Sequence, residues 1–310
     1  MSANPDPSDP LGLTGQLLDD RYLVAEKIGE GGMAFVYRAH DRGTGEPVAV
    51  KVLLPELIRD GTSMARVRQE AELGARLAHP NICHIIRFVE NGDLVCLVMP
   101  LISGEPLCDR AFRLGQLPLD VTAGFVRELA AGLHLAHELG IVHRDLKPEN
   151  VMIVANADGS ERAVLLDFGL AISRMVGADK PKLTRTGMVV GTPEFMSPEQ
   201  MRGKPVDRRS DIYSLAFLTS ELLTGQLPFA GRTLREMATA RMKGELIPIR
   251  IQRPDLDFPV AVERALAKAL AVDPDDRYGT APEFGNAFWR AAGNGPAATG
   301  IIGWFRRSGP

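Results

Sequence analysis

His143-Arg144-Asp145-Leu146-Lys147-Pro148-Glu149-Asn150 is followed by Val151-Met152-Ile153-Val154 and, after a turn-rich Asn156 to Ser160, by Val164-Leu165-Leu166-Asp167-Phe168-Gly169. The two apolar runs are short, rich in β-branched residues and bounded by turn formers, a pattern that predicts two strands. Strands arranged in this way present Asp145, Asn150 and Asp167 in one neighbourhood. Small, hard Mg²⁺ takes oxygen ligands and keeps positions for phosphate oxygens, so Asn150 with Asp167 suits a metal-nucleotide site. Asp145 is left to accept a proton or orient a hydroxyl.

Upstream, Lys51 lies inside Val48-Ala49-Val50-Lys51-Val52-Leu53-Leu54. An ammonium in an apolar run needs an accompanying anion, because burial otherwise favours its neutral form. A helix predicted from about Ser63 to Ala78 carries Val67, Ala71, Gly74 and Ala78 on one stripe, and Glu70 sits on that stripe. Glu72 is the competing carboxylate, but two residues further along a helix points about 200° away. Each of Lys51 and Glu70 alone reads equally as a snorkelling surface side chain; together they answer one another. Gly74, within this helix, costs ~1 kcal/mol against alanine and predicts a loosely held helix.

The cluster Gly29-Glu30-Gly31-Gly32 stands between a strand-like Tyr22-Leu23-Val24 and a strand-like Phe35-Val36-Tyr37. A dinucleotide-binding turn would need a helix after the glycines, so a hairpin is predicted instead, either covering phosphates with bare backbone or merely tight.

The whole chain has 310 residues, of which 45% are hydrophobic and 24% charged, figures of a globular chain of one large domain or two lobes. With 36 Lys plus Arg against 39 Asp plus Glu, nothing suggests a nucleic-acid partner. Cys83, Cys96 and Cys108 are odd in number and lack paired spacing, which fits a reducing compartment. The first twenty residues lack a basic start and a signal-length apolar run, and no window offers 18 uncharged apolar residues. A cytoplasmic chain with no transmembrane segment is expected. After Gly104, helices are predicted at Leu119 to Leu139, Asp211 to Thr224, Thr233 to Lys243, Val260 to Ala271 and Ala281 to Ala292.

These motifs, in this order, resemble the eukaryotic-like protein serine/threonine kinases of bacteria over roughly Tyr22 to Ala292. The resemblance implies an α+β, bilobal protein-kinase fold: a small β-rich N-lobe with one regulatory helix over 22–102, including the hinge, and a larger, mainly helical C-lobe over 103–292. Flexible tails at 1–21 and 293–310 complete the expected division.

It also implies roles. ATP would lie against Ile28, Gly29, Gly31, Gly32, Val36 and Ala49, with Lys51, held by Glu70, on its α- and β-phosphates. Met99 would be the gatekeeper, and the carbonyl of Pro100 and amide of Ile102 the hinge pair. Asn150 and Asp167 would hold Mg²⁺, or Mn²⁺ in its place; Asp145 would orient the incoming hydroxyl; Lys147 would neutralise charge on the γ-phosphoryl; and Thr192 would bond Asp145 and Lys147. His143, Phe168 and Asp211 would be architectural, and Glu199 with Arg277 would form a buried ion pair. Thr184 and Thr186 occupy positions of autophosphorylation, with Arg144 available to pair with a phosphothreonine; their alternative is a solvated loop. The expected partners are proteins presenting Ser or Thr, including a second copy acting in trans. The rival from another class is a nucleotide-binding pseudokinase scaffold.

Overall fold

The structure, a computed structural model, describes residues 8–32, 34–55, 61–92, 94–167, 195–231 and 233–295. Phe168, Thr184, Thr186 and Thr192 lie outside the described residues. The described chain divides into two compact units, one reaching Ser103 and the other starting at Gly104.

The first unit holds strands β1 (Leu17–Leu18), β2 (Tyr22–Gly31), β3 (Ala34–Asp41) and β4 (Pro47–Leu53), helix α1 (Gly61–Ala75), and strands β5 (Arg87–Asn91) and β6 (Leu94–Pro100). They form one antiparallel sheet in the order β1-β2-β3-β4-β6-β5. Strand β4 is apolar on both sides because both of its faces are covered. Val48, Val50 and Val52 join a core with Leu13, Leu18, Tyr22, Tyr37 and Val98. Leu53, on the opposite face, packs with Val67 and Ala71 of α1, Ile85 and Leu97.

Residues 9–21, expected as flexible tail from their polar, Pro-rich start, are instead built into this unit. Leu13 and Leu18 are 2% and 1% exposed. Ahead of them, the Asp9 carboxylate accepts the amides of Leu13 and Thr14 and the hydroxyl of buried Tyr37. Arg21 then clamps Asp41 with two bonds of 2.6 and 2.7 Å, joining the start of β2 to the end of β3.

Helix α1 also stops three residues earlier than its apolar stripe suggests, so Ala78 lies beyond it. Gly74 has a packing reason: a Cβ there would come within 2.7 Å of Ile85 Cδ1. Ile85 fills the place of the missing side chain.

The second unit begins with β7 (Glu105–Pro106), α2 (Leu107–Leu114) and α3 (Leu119–Glu138). A 3₁₀ turn at Pro148–Asn150 leads into β8 (Val151–Ala155) and β9 (Glu161–Leu165), and the three strands pair in the order β7-β8-β9. Gly104 admits this sheet, since a Cβ would sit 2.3 Å from the Ile153 carbonyl oxygen. Glu128 of α3 accepts the amide of Ala163 on β9 at 2.8 Å, and burial pushes its carboxyl up to about 7.

Helices α4 (Pro198–Met201), α5 (Arg208–Thr224), α6 (Leu234–Lys243), α7 (Ile249–Gln252), α8 (Val260–Ala269) and α9 (Ala281–Ala291) complete the unit. Asp207 caps α5 through the Arg209 amide, which is why this helix starts before the expected Asp211. Gly225, left-handed at φ 67°, ends it where expected. Around α5 nearly every side chain is buried, as befits the helix at the middle of a large unit.

Leu18→Ala tests whether the N-terminal segment belongs to the first core. Removing a fully buried leucine is expected to destabilise the protein by about 2–5 kcal/mol. Urea denaturation that leaves the midpoint where it stands in the wild type would return residues 9–21 to the status of a tail.

Candidate active site

Strand alternation places Lys51. By the period of two it shares a face of β4 with Ala49 and Leu53, the face on which Leu53 meets α1. Its cross-strand neighbours are Val36 on β3 and Leu97 on β6, and Leu97 belongs to the cluster around Val67 and Ala71. Glu70, half-buried on α1, lies between those two buried residues. Both charged side chains are thus assigned to the helix side of the sheet, as their apolar settings in the sequence suggest.

Gly29 and Gly31 lie in β2 and Gly32 in the turn, and β3 follows, so the glycine cluster is a hairpin. At Gly31 and Gly32 a Cβ would meet nothing closer than 4.0 Å among the described residues, and neither residue has a positive φ. The packing of the described residues does not require glycine at these two positions. Val36 pairs with Gly29, Ala49 with Met99, and Ile28 is 43% exposed. Pro100 ends β6, its carbonyl accepting the Cys83 thiol at 3.6 Å, and Ile102 follows outside the strand.

In the second unit, Asp145 lies on the loop before the 3₁₀ turn with its side chain half exposed. Its Oδ2 is 3.0 Å from the Lys147 ammonium and 3.0 Å from Asn150 Nδ2, which also donates to the Asp145 carbonyl at 2.7 Å. Asp167 stands just after β9 with φ 47°, and the Leu166 amide beside it donates to the Asn150 carbonyl. The β8–β9 pair therefore joins the Asp145 loop to Asp167, as the two apolar runs suggest.

Beneath this loop is Asp211, fully buried on α5. Its carboxylate accepts the His143 amide and the Arg144 amide, each at 2.8 Å, and pairs with His137 Nε2 at 2.7 Å. His143 has no exposure; its Nε2 lies 3.0 Å from the Leu166 carbonyl and its Nδ1 receives the Asp145 amide at 3.4 Å. Both ring nitrogens are engaged in holding backbone.

Glu199 and Arg277 meet as two parallel bonds of 2.7 and 2.8 Å. The remaining guanidinium hydrogens go to the carbonyls of Ala271, Arg209 and Val272, so all five donors are satisfied. Ser210 adds a hydroxyl to Glu199 Oε1. Burial opposes ionisation of Glu199, yet the bonds from Arg277 and Ser210 hold its carboxyl below the ordinary 4.5.

Three supports had no counterpart among the residues expected from the motifs. His137, Ser210 and Gln200 each contact a motif residue, and only Gln200 carries a local signal, the Ser-x-x-Gln capping pattern.

Residues 22–289 match the family model described as a protein kinase domain. The chain belongs to the protein kinase family. The serine/threonine-protein kinase pkn3 of Myxococcus xanthus is 37% identical over 272 residues, covering 87% of this chain and 50% of its own length. The chain thus spans half of that relative. The crystal structure of the PknI kinase domain of Mycobacterium tuberculosis superposes with a TM-score of 0.69 at 28% identity, covering 90% of this chain and 98% of that domain. The structure of Rad53 1–466 in complex with AMP-PNP gives 0.69 at 27% identity, over 87% and 65% of the two chains. The protein-kinase fold is thereby established. Among the described residues, no helix is long and apolar enough to cross a membrane.

The Glu199–Arg277 pair yields a test of this architecture. Arg277→Ala leaves a buried carboxylate without its counter-charge and is expected to cost about 3–5 kcal/mol. Because Glu199 is held below 4.5, the pair's stabilisation is present above that pH and fades as pH falls through the lowered value. Thermal melts should therefore show a large difference between variant and wild type at pH 7 that narrows in acid. Equal melting temperatures at pH 7 would dismiss the pairing.

Proposed function

We propose that this chain is a protein serine/threonine kinase that transfers the γ-phosphoryl group of ATP to Ser and Thr hydroxyls of proteins. The observation that carries this reading is the Asp145 carboxylate: half exposed, it is held by Lys147 and Asn150 on one oxygen, while the Arg144 amide before it is tied to buried Asp211 and its own amide to buried His143. A carboxylate held in this way can accept the proton of an incoming hydroxyl. The hydroxyl oxygen then bonds to the γ-phosphorus, the bond to the bridging oxygen of ADP breaks, and the proton passes to Asp145. Lys147 supplies positive charge beside the transferring group.

ATP fits the rest of the set. Gly31 and Gly32, which the fold does not need as glycines, offer bare backbone for phosphate oxygens. Lys51, with Glu70, is assigned to the α- and β-phosphates, Ile28, Val36 and Ala49 to the adenine, and Met99, Pro100 and Ile102 to its edge. The presence of AMP-PNP, an ATP analogue, in the Rad53 structure accords with this assignment.

Mg²⁺, or Mn²⁺, fits Asn150 and Asp167. Asn150 donates to the Asp145 carbonyl and carboxylate through its amide nitrogen, and its oxygen is a hard donor like those of Asp167. Among the described residues, no cluster of three or more His, Cys, Asp or Glu is placed to hold a metal, so phosphate oxygens and water would complete the shell. Bound there, the cation would neutralise phosphate charge.

Thr184 and Thr186 are proposed as autophosphorylation sites, modified by a second copy in trans, and Thr192 as a residue bonding Asp145 and Lys147. A cytoplasmic setting accords with three free thiols and with ATP as donor.

Incubation with Mg²⁺ and labelled ATP tests the reading. Wild type should yield phosphothreonine in itself and in a generic protein substrate, mapped to Thr184 or Thr186 by mass spectrometry. Asp145→Asn should lose about 10²–10⁴-fold in turnover. An inert wild type would favour the scaffold, and an equally active Asp145→Asn would remove the proposed base.

Thr192→Ala should lower turnover without changing the melting temperature. Full activity in the same assay would free Thr192 of its role.

A further inference from the structure

We infer that Gln200 is a positioning residue that locks the peptide between Arg144 and Asp145, and so holds the proposed base; this rests on the kinase reading above.

Arg144 has φ 67°, in the left-handed region, where a residue with a Cβ is strained and persists only if its surroundings over-determine it. One constraint is the bond from its amide to Asp211 Oδ1 at 2.8 Å. The second is on the other side of the residue: the Arg144 carbonyl accepts Gln200 Nε2 at 2.8 Å. That carbonyl belongs to the same peptide plane as the Asp145 amide, which reaches His143 Nδ1 at 3.4 Å. Gln200 and His143 therefore grip opposite edges of the plane from which the Asp145 side chain departs.

Which end of the Gln200 amide faces Arg144 follows from its other bonds. Its Oε1 receives the Ser197 amide at 2.9 Å and the Ser197 hydroxyl at 3.0 Å. Two donors on one side and a carbonyl on the other leave a single arrangement in which every contact is satisfied. Gln200 thus serves two functions at once: it closes the capping box of α4 and extends that cap into the loop carrying Asp145. The Ser197 end is itself tethered, because the carbonyls of Phe195 and Met196 before it accept Ser214 Oγ at 2.8 Å and Arg241 Nη1 at 2.9 Å. Position 200 is where this anchored segment is joined to the Asp145 loop.

Gln200→Glu separates the two functions. Glutamate retains an acceptor for Ser197, and Ser-x-x-Glu is an equally good capping box. It cannot donate to the Arg144 carbonyl when ionised, and it sets oxygen against oxygen. The expected result is amide hydrogen exchange in the peptide spanning residues 143–147 at least threefold faster, and kcat at least fivefold lower with KM for ATP unchanged. Gln200→Ala, which loses both functions, should also lower the melting temperature.

Wild-type exchange in residues 143–147 of Gln200→Glu overturns the inference whether or not the protein is active. So does wild-type kcat. A wild-type protein without kinase activity rejects the reading of the site instead, and the exchange measurement alone then decides the clamp.

Discussion

Asp211 takes three hydrogen bonds on a carboxylate that has no contact with water, and the loop carrying the proposed base has its shape because of them. A carboxylate removed from solvent is costly unless every lone pair is engaged. Here the groups that engage it are the consecutive amides of His143 and Arg144, so solvating the charge and shaping the loop are one event. The left-handed Arg144 follows, since two successive amides converge on one carboxylate only if the chain turns sharply between them. Asp145, the next residue, is thereby turned outward.

The same economy recurs elsewhere in the second unit. Glu199 and Arg277 are buried charges that satisfy one another and three backbone carbonyls, joining α4 to the chain ahead of α9. Ser214, Arg241 and Gln200 secure the residues just before and within α4. Polar side chains reach from the helices to backbone that lies outside regular structure, where no ladder would otherwise satisfy it. In the first unit the division of labour differs. The sheet supplies its own backbone bonds, and its face toward α1 carries the charged Lys51 among apolar residues.

Much of this was legible in residue order. The six described helices of ten or more residues appear within a few residues of where periodicity and caps put them, because each has enough turns for an apolar stripe to repeat. The glycine hairpin was legible because strand character resumes at Phe35. Short elements were not: β1, β7, α4 and α7 have two to four residues each, too few for a period of 2 or 3.6 to recur. The N-terminal segment misleads for a related reason. Its polar, Pro-rich opening resembles a tail, while the order depends on Leu13 and Leu18 finding a cavity edge formed by strands far ahead in the chain.

Sequence alone names the chemistry, since Lys51, Glu70, Asp145, Lys147, Asn150 and Asp167 are charged or polar residues in settings that would otherwise be apolar or turn-like, and their order along the chain matches one family. What it leaves open is what holds those groups in place. His137 lies 74 residues from Asp211, and Gln200 reaches back 56 residues to Arg144. Separations of that size carry no local periodicity, and a hydrogen bond has meaning only when packing has already brought donor and acceptor within about 3 Å. Identity is therefore written in the motifs, whereas the orientation of the base arises from bonds that exist only once the helices have closed around Asp211.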